Sequence, residues 1–393
     1  QLQRAQARGA AFAPIYLRRL AILLLIGLTH AIFIWSGDIL VTYALVGFIL
    51  FLLRNRSDRT LVIIGLISFV FAIFIYMPGP AEAIREAYNN LVEPIRSIGF
   101  AHGGDPAQVY KFGTYADTVV RRWNDKIIGY MGVLYWAPYI LSIFILGFLV
   151  SRKGVFQNLP DYLPNFRKLV WIALALGLLF NFIWVYGGAQ PGTVPAEWVQ
   201  FVRRSIRTLG GLSLCTFYVS AIVLLVQKKR WHERLAPLAP VGRMALTNYL
   251  LQSVIATLFF YGYGLGFYRE FGPAFGLAFV ILVFLGQVKF SAWWLDHYDY
   301  GPMEWFWRTL TYRGLRPDTD PAPTTAPERS LSSTLRRFAK AIPTWLILLL
   351  WTGGLIVAYT RLAETPLPDV AELVQPQPTA TPQIAPTPRP TPT

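Results

Sequence analysis

The sequence predicts an all-α fold, a polytopic transmembrane helical bundle with about nine spans. Of the 393 residues, 54% are hydrophobic and only 15% are charged, whereas a soluble domain is about 25% charged. The apolar residues are grouped into continuous blocks, and an amphipathic helix of a soluble protein would instead place them on one face. A membrane span needs roughly 20 mostly apolar residues, and blocks of about this length recur along the chain.

The apolar blocks define a multi-span membrane domain that we expect over residues 20–314, after a cytoplasmic segment at 1–19. The first two blocks are separated only by the Ser36-Gly37-Asp38 turn, which predicts a helical hairpin. Pro78-Gly79-Pro80 ends the third block, because proline and glycine interrupt helices. The eight blocks cover about residues 20–35, 39–53, 61–77, 127–150, 169–186, 208–226, 245–264 and 273–295.

The remaining segments are polar or rich in proline. Residues 81–126 are expected to be an extracytoplasmic loop with a short amphipathic helix at about 81–95, and residues near 302–308 an inner-leaflet surface helix. Residues 315–341 have the composition of a cytoplasmic linker. A ninth span is expected at 342–359, followed by a Pro/Thr-rich disordered extracytoplasmic tail at 360–393. The ninth span and the tail suit docking to partners in a membrane complex.

The basic residues indicate how the spans are oriented. If residues 1–19 lie in the cytoplasm and the spans alternate, two thirds of the 36 Lys and Arg residues and the whole net charge of +15 fall on the cytoplasmic side. This is the distribution that the positive-inside rule describes. A nucleic-acid partner is not expected, because its binding needs basic residues gathered on one soluble face.

His30 is the first candidate catalytic residue. It follows Arg19 by eleven positions, about 16 Å along a helix, which places it near the bilayer midplane. Such a histidine either forms a buried hydrogen bond to a neighbouring helix or acts as a general base or proton relay, because imidazole exchanges protons near neutral pH. Asp38 is either the N-cap of the second helix or the partner of His30. The two residues cannot meet on one continuous helix, so a pair would require the turn at Gly37.

Two further groups of polar side chains are candidates for substrate binding. Asn248 and Gln252 are four residues apart and share one face of the seventh span; they either join helices or line a cavity for a polar substrate. Arg203, Arg204 and Arg207 lie on the outer side, at the start of the sixth span. They either contact lipid headgroups as snorkelling side chains or form a site for an anionic substrate such as a phosphate or a carboxylate.

No metal site and no cofactor is expected. The histidines have no metal-ligand spacing, and the nucleotide-binding and hydrolase motifs are absent from the sequence. The single cysteine, Cys215, lies in a predicted span, so no intrachain disulfide can form.

Several of these segments together resemble the YeiB-like family of bacterial membrane proteins, itself of unknown function. The first stretch of resemblance consists of residues 18–20, 27–30, 35–40 and 43–45, and the C-terminal signature consists of residues 240–253, 261–266 and 301–312. The resemblance covers roughly residues 18–314 and implies a bacterial cytoplasmic membrane location. Family members normally begin with further spans that bear an Arg-Gly motif. The chain opens with Gln1, and we expect it to be part of a longer protein.

The YeiB-like family is distantly similar to the membrane acyltransferase superfamily, which transfers acyl groups to sugars or other carriers. This resemblance implies that His30, Asp38, Arg243 and Asn248 lie near a site, and that an acyl donor or a lipid-linked substrate is the partner besides the bilayer. Three functions follow as hypotheses: transfer of an acyl or related group to a carbohydrate or lipid acceptor, transport or flipping of a small or lipid-linked solute, and a non-catalytic role in a membrane complex.

Overall fold

The computed structural model describes residues 12–79, 82–83, 86–87, 89–90, 105–131, 133–187 and 195–312. Within these residues the chain is helical and contains no β-strand. The expected linker at 315–341, the ninth span and the tail lie outside the described residues, as does most of the expected amphipathic helix at 81–95.

Thirteen α-helices are described, with a short 3₁₀ turn at Ala236–Leu238 between the ninth and the tenth. Their bounds are α1 Phe12–Phe33, α2 Leu40–Leu53, α3 Asp58–Phe74, α4 Pro106–Phe112, α5 Tyr115–Met131, α6 Val133–Arg152, α7 Leu159–Tyr186, α8 Ala196–Val226, α9 Lys229–Leu235, α10 Ala239–Arg243, α11 Ala245–Phe260, α12 Pro273–His297 and α13 Pro302–Tyr312.

Four described helices are long and apolar enough to cross a membrane: α1, from Ala13, and α7, α8 and α12. Shorter apolar helices run over Leu40–Leu53, Trp136–Arg152 and Ala245–Phe260. The all-helical class is therefore confirmed for the described residues, and the four candidate spans agree with a polytopic bundle. Nine spans remain a prediction. Many large apolar side chains on these helices are exposed, such as Trp171, Leu282 and Leu52, which is the surface that a lipid bilayer covers.

The segment expected as a loop at 81–126 contains regular structure in its second half. Helix α4 and most of helix α5 lie there. The apolar block expected as one span at 127–150 is divided between the end of α5 and the whole of α6. Its apolar run is continuous in sequence, so composition alone did not mark the boundary.

Helices α1 and α2 form the expected hairpin, and α11 and α13 pack against it. The core between them consists of buried Ile22, Ile26, Leu40, Leu246 and Leu250. At the cytoplasmic end predicted for α1, the Trp307 indole N–H donates to the Arg19 carbonyl over 3.0 Å, and the Arg19 guanidinium stacks on the same indole. The expected surface helix at residues 302–308 is thus part of α13, which packs on α1.

Helix α6 runs antiparallel to α3. Leu61, Ile145 and Leu149 form a buried core between them. At the carboxyl end of α6, the Arg152 guanidinium contacts the Asp58 carboxylate at 2.7 Å and donates to the carbonyl of Arg54 in the α2–α3 turn. This contact fixes the position of α6 along the length of α3. Because the two helices are antiparallel, the start of α6 lies beside the carboxyl end of α3.

A carboxylate from α13 caps the amino end of α11. The Thr247 backbone N–H donates to Glu304 over 3.0 Å, and the Thr247 hydroxyl donates to the same carboxylate over 2.5 Å. Without this contact, the Thr247 amide, in the first turn of α11, would lose its described partner. Gly301 makes the approach possible, because a Cβ at this position would collide with the Glu304 carboxylate.

We predict that Glu304→Ala destabilises the protein by about 1–2 kcal/mol, the range typical of a lost helix cap. Thermal unfolding of the purified protein in detergent measures the effect. Glu233→Ala is the control, because Glu233 is exposed on the short helix α9. Equal melting temperatures for the two variants would show that the Glu304 cap contributes nothing.

Candidate functional site

The turn between α1 and α2 brings His30 and Asp38 together. Helix α1 ends at Phe33, and the amides of Ile34 and Trp35 both donate to the His30 carbonyl. The chain then reverses, and the Asp38 carboxylate oxygen Oδ2 lies 2.8 Å from His30 Nδ1. The His30 side chain is 1% exposed and the Asp38 side chain 0% exposed. The turn at Gly37 therefore makes the contact that one continuous helix would forbid.

Every described partner of the Asp38 carboxylate is a donor. Oδ1 accepts the Val41 backbone N–H over 3.0 Å, so Asp38 also caps the first turn of α2. Oδ2 accepts from His30 and from the Tyr249 hydroxyl, the latter over 3.2 Å. The Tyr249 oxygen in turn accepts the Ile39 backbone N–H. Both interpretations of Asp38, as a helix cap and as a partner of His30, thus apply to one side chain.

This arrangement sets the proton positions on His30. An ionised carboxylate can only accept hydrogen bonds, so the proton of a neutral imidazole lies on Nδ1 and the lone pair on Nε2. Nε2 is buried and has no hydrogen-bond partner among the described residues. Buried polar atoms nearly always have a partner in protein or solvent. His30 Nε2 is therefore an oriented ring nitrogen with no hydrogen-bond partner among the described residues.

Gly27 allows the two helices to approach this closely. A Cβ at position 27 would lie 2.8 Å from the Val41 amide nitrogen and 3.0 Å from Asp38 Oδ1. Any larger residue would thus push the start of α2 away from α1. The His30–Asp38 contact depends on the absence of a side chain one turn before His30.

Helices α4 and α5, which we call the α4–α5 cover, pack over the α1–α2 turn. The Tyr115 hydroxyl donates to the Phe33 carbonyl over 2.9 Å, and the Arg122 guanidinium donates to the Ile34 carbonyl over 2.6 Å. Arg122 is fully buried and also donates to the Thr118 hydroxyl. These donors satisfy carbonyls that the end of α1 leaves without helical partners.

The α4–α5 cover is itself fixed to the connection between α11 and α12. The Gly262 amide donates to the Tyr110 carbonyl over 2.9 Å, and the Lys111 ammonium forms a 2.7 Å ion pair with Glu270. Rings of Tyr110 and Tyr261 pack at 4.7 Å between centroids. Burial raises the pKa of Tyr110 above its ordinary value, so its hydroxyl stays protonated.

Lys126 adds a second cation from α5 near the carboxylate. Burial lowers the pKa of the Lys126 ammonium from its ordinary value, and the negative charges of Asp38 and Asp125 counteract that decrease. Asp38 is thus within electrostatic range of a lysine from α5 as well as in contact with His30 and Tyr249.

The polar face expected on the seventh span points elsewhere. The Asn248 side-chain amide donates to the Ser291 hydroxyl over 2.9 Å, and the Gln287 amide donates to the Asn248 carbonyl over 2.8 Å. Asn248 thus joins α11 to α12. Gln252 is exposed, and Arg243, also exposed, donates to the Asp299 carbonyl. None of these described contacts includes His30.

The three expected anion-binding arginines lie in the first half of α8 and are exposed. The Arg204 guanidinium lies over the Tyr76 ring at 4.8 Å and that of Arg207 over the Trp184 ring at 5.5 Å. They make no described contact with His30. The structure thus separates the predicted residues into the His30–Asp38 pair, the Asn248 helix contact, and an arginine cluster.

Sequence reasoning missed Tyr249, Arg122 and Lys126. Tyr249 stood inside the polar run at residues 242–253, beside the Asn248 that we selected. Consecutive helical residues point about 100° apart, so Tyr249 faces α1 while Asn248 faces α12. The cluster Arg121, Arg122 and Lys126 was visible in the expected loop, and its helical spacing was the available signal.

Comparisons with known proteins identify relatives. The family model described as "Protein of unknown function (DUF418)" matches residues 150–314. The uncharacterized protein YxaH of Bacillus subtilis is 33% identical over 328 residues, covering 80% of this chain and 76% of that protein. The uncharacterized protein YeiB of Escherichia coli is 28% identical and covers 76% of each chain. No solved structure matches. The DUF418 match includes Tyr249 and leaves out His30 and Asp38.

We predict that Gly27→Ala destabilises the protein by about 1–3 kcal/mol, as overpacking typically does, because its methyl group would force Val41 and Asp38 away from α1. The melting temperature in detergent measures this effect. Gly286→Ala is the matched control, since a Cβ there meets no atom within 4 Å. If both variants had the melting temperature of the wild type, the close packing at Gly27 would not contribute to stability.

Proposed function

This chain belongs to the YeiB-like, DUF418 family of bacterial membrane proteins, and we propose that it is a membrane enzyme that transfers an acyl or related group to a carbohydrate or lipid acceptor. The observation that carries the proposal is the hydrogen-bonded arrangement of His30, Asp38 and Tyr249. His30 and Asp38 are buried, and His30 Nε2 has no partner among the described residues. A histidine that a carboxylate orients through Nδ1 is the usual general base in acyl transfer.

In the proposed reaction, the hydroxyl oxygen of the acceptor attacks the carbonyl carbon of an acyl thioester donor. His30 Nε2 takes the hydroxyl proton as the new C–O bond forms. The C–S bond then breaks, and the imidazolium returns the proton to the leaving thiolate. Asp38 stabilises the imidazolium in between, and Tyr249 holds the carboxylate in place.

The cations of α5 suit the same reaction. The carbonyl oxygen of the donor becomes negative in the transition state, and fixed positive charge in a site with little water stabilises it. Arg122 and Lys126 provide this charge next to the α1–α2 turn. Because Nε2 is buried, the α4–α5 cover would open to admit the substrates and close again over them, as lids do in many enzymes. Arg122 and Lys126 would then be back in place when the transition state forms.

The orientation belongs to the proposal as well. The basic loops would face the cytoplasm of a bacterial cell, and the tail at 360–393 would face outside. The charge distribution supports this orientation. The α1–α2 turn and the α4–α5 cover would then act at the extracytoplasmic face, where surface carbohydrates and outer-leaflet lipids are the acceptors.

We predict that His30→Ala lowers acyl transfer by about 10²–10⁴-fold, the usual contribution of a general base. Detergent-permeabilised membranes, in which the donor reaches both faces, would be prepared from cells that express the protein and lack any relative of it. They would be incubated with [¹⁴C]acetyl-coenzyme A. The label in the lipid and polysaccharide fractions would then be counted. His232→Ala is the control, because His232 lies on the exposed helix α9.

Two results would contradict the enzyme proposal. One is labelling by the wild type no greater than by membranes without the protein, which is also what a carrier of lipid-linked solutes would give. The other is wild-type labelling by His30→Ala at normal protein levels.

Asp38 and Tyr249 both position His30, and we predict that substituting Asp38 lowers kcat more than substituting Tyr249. In Asp38→Asn, the amide oxygen can still accept the Val41 N–H, as Oδ1 does in the wild type. The amide NH₂ group then takes the place of Oδ2 and faces the Nδ1–H of His30, so that two donors oppose each other. We therefore expect kcat to fall at least 100-fold. Tyr249→Phe removes the hydrogen bond that the Tyr249 hydroxyl donates to the Asp38 carboxylate. A hydrogen bond to a charged group is worth about 1.5–3 kcal/mol, so we expect a decrease of roughly ten- to hundredfold. Comparing kcat and KM in the same assay tests this order. Equal losses for both variants would contradict it.

A further inference from the structure

A cavity of about 440 Å³ lies between α3, α6 and α8, apart from the His30 contacts described above. Arg204, Arg207 and Thr208 of α8 line one wall, and Tyr76, Trp136 and Tyr139 contribute rings from α6 and the end of α3. Its volume is within the range of small-molecule sites in proteins. The cavity can therefore hold a polar group together with its substituents.

The positive charge in this cavity is not paired with a carboxylate among the described residues. Arg204 and Arg207 are separated by one helical turn and thus share a face of α8. Among the described residues, no carboxylate pairs with either guanidinium. Each lies instead near an aromatic ring, Arg204 over Tyr76 and Arg207 over Trp184. Ring stacking orients a guanidinium and leaves its N–H edge free for a phosphate, which accepts from it in bidentate geometry.

The surroundings of the cavity are those of a lipid headgroup site. Tyrosine and tryptophan are enriched where the membrane meets water, and Trp136 is exposed beside the arginines. Below this level, α3 exposes Val70 and Phe71, and α8 continues as an apolar helix to Val226. A hydrocarbon chain attached to the bound group can lie along these faces.

We propose that this cavity binds the phosphate of an anionic lipid, with Arg204 and Arg207 on the phosphate oxygens, Thr208 beside them, and the hydrocarbon chain along α3 and α8. The assignment does not depend on His30 acting as a base. It gives the cluster of three arginines two roles: Arg204 and Arg207 bind the ligand, whereas Arg203, which does not line the cavity, contacts solvent or headgroups.

Native mass spectrometry of the purified full chain in a neutral detergent tests this proposal, with phosphatidylglycerol and phosphatidylcholine as probes. We expect the wild type to retain one phosphatidylglycerol in preference to phosphatidylcholine. Arg204→Gln and Arg207→Gln should each weaken that retention about tenfold or more, the usual effect of a lost charge-assisted hydrogen bond. Arg203→Gln, which removes the same charge outside the cavity, should bind within twofold of the wild type.

The other outcomes each overturn a defined part of the proposal. Binding of inorganic phosphate as tight as that of phosphatidylglycerol would show that the hydrocarbon chain adds nothing, and would identify a free anion, and not a lipid, as the ligand. Equal losses in all three single variants would indicate general charge attraction without a site. No preference in the wild type, or unchanged binding in Arg204→Gln and Arg207→Gln, would refute the site. The melting temperature of each variant shows whether it is folded. Acyl labelling is measured in a separate experiment, so a negative lipid-binding result would not bear on the enzyme proposal.

Discussion

The carboxylate of Asp38 is a negative charge held almost entirely away from solvent in an apolar bundle. Burying an isolated carboxylate would be prohibitive, and it is tolerated only where donors and positive charge surround it. Here the donors come from three parts of the chain: His30 at the end of α1, the Val41 amide in α2, and Tyr249 in α11. Removing any one leaves a buried charge with incomplete compensation, so the positions of three helices are tied to one side chain.

This requirement explains features that otherwise look unrelated. Gly27 is needed because the carboxylate has to lie against α1. The core at Ile26, Leu40 and Leu250 brings α11 close enough for the Tyr249 hydroxyl to reach Asp38. The donors of Tyr115 and Arg122 then cover the carbonyls at the end of α1, so that the reversal of the chain carries few unsatisfied groups.

The sequence predicted the local half of this arrangement and not the long-range half. Apolar blocks, the Ser36-Gly37-Asp38 turn and the positions of His30 and Asp38 are short-range signals, and they predicted the hairpin and its polar residues. Tyr249 lies more than two hundred residues from Asp38, and no spacing rule connects them. The partner of Asn248 could not be predicted for a similar reason. A polar residue in a span forms its hydrogen bonds with whichever helix packs beside it, and that helix, α12, is known only from the tertiary structure. The hydrophilic composition of residues 105–126 likewise indicated exposure. Arg122 is nevertheless buried, because it donates to the Ile34 carbonyl at the end of α1, and the sequence does not show that α5 packs there.

The two polar centres of this protein differ in how their charges are balanced, and this difference bears on what each can do. At His30 and Asp38, protein groups balance the charge, and within the described part of this pair only His30 Nε2 lacks a partner, as suits the proposed proton transfer. At Arg204 and Arg207, aromatic faces orient the cations without neutralising them, as suits a group that binds an anion and releases it. Since α6 is antiparallel to α3 and its carboxyl end contacts the α2–α3 turn, its start lies at the same end of the bundle as the α1–α2 turn. Both centres therefore lie toward the same end of the bundle. An amphiphile held by its phosphate at the arginines, as proposed, would have its polar end at the same end of the bundle as His30.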